Sequence, residues 1–199
     1  MQRLLSNQWV YMSLILSISM VLSGKSVAEV KTKVEGDFHM TLYQGAYDEI
    51  TDFQLFTKLA DKEVYFGISC SNRTPFPLFQ VLLFNENKWM DDSADLHVNY
   101  FLTTNGKRDP DLVLAPLKGS LSSVNNDNEK MNKIHLEIDT SRIKSMRAMQ
   151  VVYAQFLTQL KSESKIDIQL THRDLGEKLY QFSLGGLSQL LTPYESVCR

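Results

Sequence analysis

A mainly β fold, an antiparallel sandwich or barrel of six to seven short strands with one or two short helices, is predicted by three features of this chain. Short segments alternate apolar and polar residues with period two, clusters of Asn, Pro, Gly and Asp separate them, and only two stretches carry helical spacing. Among the strands, Glu63 to Cys70 is the clearest: Val64, Phe66, Ile68 and Cys70 fall on one face and Tyr65, Gly67 and Ser69 on the other. Asn72-Arg-Thr-Pro-Phe-Pro77 breaks it as a loop. Phe79 to Phe84 is a continuous apolar run, as expected of a strand buried on both faces.

Leu96 to Thr103 alternates again, Leu112 to Leu117 reads as a further strand ended by Gly119, and residues 122–132 read as a polar loop. Lys133 to Asp139, Ile166 to Leu170 and Leu179 to Leu184 complete the series. Helical spacing links Ile143, Met146, Met149, Val152 or Tyr153, Phe156, Leu157 and Leu160, with Asp139, Thr140 or Ser141 as the expected cap, although the β-branched pair Val151-Val152 also suits a strand in the middle. A second set, Leu184, Leu187, Leu190, Leu191 and Tyr194, predicts a terminal helix limited by Pro193. Such helices would cover an end or an edge of the sheet.

The first 28 residues have the parts of a cleavable export signal. Arg3 supplies the charge, an apolar run extends from Trp9 to Leu22, and Ser26-Val27-Ala28 places small residues at the cleavage positions. The run is shorter than the roughly 20 residues a membrane-spanning helix needs. Cleavage would leave a lead-in at 29–37, charged and without periodicity, and a single β-rich periplasmic domain over 38–199, with secretion from the cell the second destination considered. It would also remove Arg3 and Lys25, leaving 19 basic against 23 acidic residues, a net charge of −4. That balance argues against a nucleic-acid partner, which calls for a basic face.

Two cysteines, Cys70 and Cys198, lie in the exported part. An oxidising compartment would pair them, closing a loop of 128 residues for which chain entropy suggests roughly 4–5 kcal/mol. The other arrangement leaves two free thiols, one buried and one in a frayed tail.

The chemistry-bearing residue types form no established catalytic pattern. His39, His97, His135 and His172 are the histidines, and none shares the close spacing of a zinc site. His97 and His135 sit on the polar faces of their strands, and His172 with Asp174 lies in what reads as a hairpin loop. Ser183-Leu-Gly-Gly186 lacks the Gly-x-Ser-x-Gly arrangement of a nucleophile elbow. Asp91, Asp92 and Asp95 read as an acidic loop, since a calcium loop needs denser oxygens and a glycine at the bend. No cofactor or metal is expected. Asn72-Arg73-Thr74 is a formal glycosylation sequon, relevant only in a eukaryotic secretory route. The region 72–95, with Phe76, Phe79, Trp89, Asp91 and Asp92, is the candidate recognition surface, because loops beside a rigid sheet carry binding more often than the sheet does.

Val64-Tyr-Phe-Gly-Ile-Ser-Cys70, His97-Val-Asn-Tyr100, Phe156-Leu-Thr-Gln-Leu160, Ile166-Asp-Ile-Gln-Leu170 and the ending Phe182-Ser-Leu-Gly-Gly-Leu187 with Leu190, Leu191 and Cys198 occur in a suggestive order. Over about 63–198 the chain resembles the small periplasmic proteins found beside bacterial type VI secretion genes, the VasI-like group. Its ending is also similar to exported proteins of the invasion-associated locus B type. Residues 38–60 have no counterpart in that pattern, and the polar stretch at 122–132 departs from it. The resemblance implies a bacterial periplasmic domain with a Cys–Cys tie and brings no catalytic residues with it. The function expected is that of a non-enzymatic binding or accessory protein contacting another envelope or secreted protein. An immunity or inhibitor protein against a toxin or hydrolase is the alternative, and an envelope hydrolase using His172 or a converged set of histidines a third.

Overall fold

The computed structural model describes residues 29–45, 47–84, 96–104, 107–109, 116–126 and 129–198. The expected export signal lies outside them, as do Trp89, Asp91 and Asp92. Among the described residues, eleven strands form two antiparallel sheets. Strands β1 (Val30–Glu35), β2 (Phe38–Gln44), β3 (Ile50–Lys58), β4 (Val64–Ser71) and β5 (Leu78–Phe84) meander through the larger sheet. The chain then crosses to the smaller sheet for β6 (His97–Thr104) and β7 (Lys107–Asp109). It returns as the hairpin β8 (Leu117–Asn126) and β9 (Glu129–Ile138), which adds β9 beside β5. Helix α1 (Met146–Ser162) leads back to β10 (Lys165–His172) and β11 (Gly176–Ser183), with β10 beside β6.

The core is the set of inward side chains that alternation assigns to one face of each strand. One transverse row of the large sheet reads Met40, Leu55, Ile68, Phe79 and Leu136 across five strands, every one buried. The small sheet answers with Val98, Tyr100 and Leu102 on β6, Ile166, Ile168 and Leu170 on β10, and Tyr180 and Phe182 on β11. Phe66 and Phe182 meet across the sandwich at 5.8 Å between ring centroids. The same core row ends at Gly119, where β6 presses closest: an added Cβ would lie 2.6 Å from Val98 Cγ2 and 2.7 Å from Leu96 Cδ2. Gly119 therefore does not end a strand, as its residue type suggests, but makes room inside β8.

Two segments read as irregular are strands. The lead-in at 29–37 holds β1, whose side chains are all exposed and whose partner is β2. The polar stretch 122–132 continues the β8–β9 ladder as far as Asn126 and Glu129. β1 is held by backbone pairing with no buried side chain, and the sequence of 122–132 is too polar to alternate, so periodicity gives no signal in either. The run Phe79 to Phe84 is buried on the core face at Phe79, Val81 and Leu83, whereas Leu82 on the other face is half-buried.

Helix α1 starts later than expected. Ser145 caps it, its Oγ accepting from the Ala148 backbone N–H at 3.1 Å. Asp139 instead accepts from the Ser141 N–H and pairs with Lys118 at 2.9 Å. The terminal segment is helix α2 (Leu187–Leu191) followed by a 3-10 stretch, Thr192–Cys198, in which Pro193 cannot donate to a helical ladder.

This segment folds back along β1–β4. Gly36, in the β1–β2 turn at φ +55°, and Gly186, before α2 at φ +91°, bring two backbones together. The Asp37 N–H donates to Gly185 O at 3.0 Å, and a Cβ on Gly186 would lie 1.9 Å from Glu35 O. Lys33 points to the core side of the edge strand, where its Nζ donates to the Tyr194 hydroxyl at 2.6 Å and lies 4.9 Å from that ring. Cys70 and Cys198 are joined, with an S–S distance of 2.07 Å and Cα atoms 4.8 Å apart.

Two measurements test these local accounts. Gly186→Ala is expected to cost at least about 3 kcal/mol by denaturant unfolding, because positive φ and a backbone collision coincide. Gly176→Ala, also at positive φ but with open space around it, is expected to cost only about 1 kcal/mol. Lys118 and the Ser141 amide hold the Asp139 carboxyl well below the usual carboxylate range, at about 2. Its folded value is depressed, so its contribution to stability is present above the unfolded value and lost as pH falls toward 2. A carbon-detected NMR titration should place its midpoint near 2, and Lys118→Met should move the midpoint up toward an ordinary aspartate.

Candidate binding groove

Loop, helix and tail converge on one side of the molecule. The 72–77 loop leaves β4 just past Cys70 and carries Pro75, Phe76 and Pro77 alongside α1. Phe76 stacks on Tyr153 with ring centroids 4.7 Å apart, and Tyr153 lies parallel to Phe79 at 6.3 Å. Phe79 meets Phe156 edge-on at 5.0 Å, and Phe156 meets Tyr100 at 5.3 Å. This chain of rings runs from the loop through the helix to the small sheet, so α1 closes one end of the sandwich. Such pairs add roughly 0.5–1.5 kcal/mol each beyond the area they bury. Burial raises the Tyr153 phenol above its ordinary range, opposed by a backbone hydrogen bond with Ile138.

Between the proline loop and the exposed side of α1 lies a groove of about 330 Å³, open to solvent. Its helical wall is a continuous stripe, Arg147, Gln150, Val151, Ala154, Thr158 and Lys161, about 21 Å long at 1.5 Å per residue. Pro75 and Pro77 form the opposite wall, Glu195 and Cys198 bring the tail into the lining, and Leu157 completes it. Val151 is 50% exposed, high for a helical valine. The Lys161–Glu195 ion pair, only partly exposed, joins the end of α1 to the tail. The groove is thus walled by elements that are each tied down separately.

Of the candidate recognition residues, Phe76 lies between the two groove-lining prolines and is half-buried against Tyr153, without itself lining the groove. Phe79 is fully buried at 0% exposure, so it belongs to the core and not to a recognition surface. Its place in an unbroken apolar run conceals that it lies on the inward face of β5. The helical wall went unrecognised in the sequence. Its signal was apolar Val151 and Ala154 standing off the buried stripe of Tyr153, Phe156, Leu157 and Leu160.

The histidines are spread over both sheets. His39 and His135 share an outer-face row of the large sheet, with Phe56, Gly67 and Gln80 between them. Four strand spacings put them roughly 19 Å apart. Burial, with Lys133 adding, holds His135 below the ordinary imidazole range. His97 pairs with Thr171 on the outer face of β6, so it points opposite to His172 on the next residue of β10. His172 is 1% exposed, and its Nδ1 accepts the Asp174 backbone N–H at 3.1 Å, with the Asp174 carboxylate 3.7 Å away. The pair sits at the β10–β11 hairpin, where the sequence places it. Among the described residues, no group of three or more His, Cys, Asp or Glu side chains gathers at metal-binding distance. Among the same residues, no helix is long and apolar enough to cross a membrane.

No family model, curated protein or solved structure matches this chain.

Proposed function

We propose that this protein is a non-enzymatic binding or accessory module of the bacterial envelope, exported through a cleavable signal, and that the groove along α1 receives another envelope or secreted protein. One observation carries the reading. The groove is concave, partly apolar and open, and its walls are fixed in advance by a disulfide, an aromatic stack and an ion pair. A surface that is already ordered loses little conformational entropy on association, which favours recognition. The disulfide agrees with an oxidising compartment. The resemblance to type VI secretion-associated periplasmic proteins points the same way, toward an accessory role.

The test is capture from an oxidised periplasmic extract, comparing wild type with Ala154→Trp. Ala154 is exposed, so the larger ring fills the groove without entering the core. Wild type should retain a partner that Ala154→Trp loses while melting at the same temperature. Equal retention by both proteins would remove the groove from the account. A retained secretion component would favour the accessory role, and a retained toxin or hydrolase the inhibitor role.

A further inference from the structure

We infer that the groove's partner presents an extended apolar segment flanked by acidic residues, with its carboxylates at the Arg147 end. The inference rests on the groove reading above and adds the chemistry of the occupant. From Thr140 to Ser162 the chain has no Asp or Glu but four cations, Arg142, Lys144, Arg147 and Lys161, in a protein whose total charge is −2. Lys161 is neutralised by Glu195. Arg142, Lys144 and Arg147 are exposed and form no ion pair among the described residues. They stand at the start of α1, where exposed backbone N–H groups already carry partial positive charge and cations are disfavoured. An anionic group docked there would meet these cations and the positive end of the helix dipole.

The groove's walls select the rest of the ligand. Pro75 and Pro77 have no backbone N–H, so neither can donate to a β-ladder, and what these two residues offer a ligand is chiefly apolar contact. Val151 and Ala154 face it with short side chains that leave space for those of a ligand. Gln150 on the rim can bond a peptide backbone. At about 3.3 Å per residue, the stripe of about 21 Å accommodates roughly six extended residues. An anionic membrane would also meet the three cations and the exposed Met146. The apolar surface here is recessed between two walls, however, which suits a narrow chain better than a flat bilayer.

The test pans a randomised peptide library against the protein purified after export, with Ala154→Trp as counter-selection. Val151→Glu, which spares the buried stripe of α1, serves as a second block. The expected binders carry consecutive apolar residues beside Asp or Glu, and Arg147→Glu should weaken them roughly tenfold or more, as loss of a charge-assisted bond does. Binders that survive both blocking variants would overturn the inference together with the groove reading. Binders lost in those variants but showing no acidic bias would overturn the inference alone. Absence of binders would overturn it as well. In that case sedimentation with phosphatidylglycerol vesicles, or concentration-dependent self-association, would identify a membrane or a second copy as the occupant.

Discussion

Cys70 sits on the core face of a central strand, and its bond to Cys198 fixes the last residues of the chain against the middle of the large sheet. The rest of the tail is positioned from that point. Lys33 and Phe53 hold Tyr194 from the sheet, Lys161 holds Glu195 from α1, and Gly186 lies against the β1–β2 turn. The exposed ties among these are individually weak, since surface ion pairs contribute little on their own. They matter because the covalent link keeps their partners close, so each costs little further entropy to form. A terminus that would ordinarily fray becomes one wall of a cavity.

The same constraint explains why the groove lies where it does. Cys70 is the next-to-last residue of β4, so the 72–77 loop begins two residues beyond it, and the tail bound to Cys70 lies beside that loop. Helix α1 joins the large sheet to the small one and crosses the same end of the sandwich, where Phe79 and Tyr100 supply its floor. The buried stripe of the helix faces those rings, which leaves Val151 and Ala154 toward the prolines. Exposed apolar side chains then meet a ring-stacked loop across open space. The groove here follows from packing elements that each have another structural task.

Much of the sandwich was legible because alternation directly reports which face of a strand is buried. Val64, Phe66, Ile68 and Cys70 lie inward as their spacing indicates, and so do Ile166, Ile168 and Leu170. Pairing between the two cysteines was legible too, since the even count and the export expected from the first 28 residues both favour it. What escaped was structure that burial does not mark. Strand β1 has no buried side chain, and the far part of β8 and β9 is polar, yet both are held by backbone ladders. The site escaped for a related reason. Phe76 lies within the candidate surface, but Tyr153, on which it stacks, is 77 residues away in sequence, and Val151 and Cys198 join Pro75 and Pro77 in the groove lining only through the fold.

Native-state hydrogen exchange of the tail amides, compared between oxidised and reduced protein, tests most directly whether the Cys70–Cys198 bond holds the groove together. With the bond intact, amides from Leu187 to Val197 should be protected. On reduction they should exchange with little protection, and the exposed face of α1 should lose its tail wall. Tail amides protected equally in both redox states would contradict the account, because the groove would then owe its shape to packing alone.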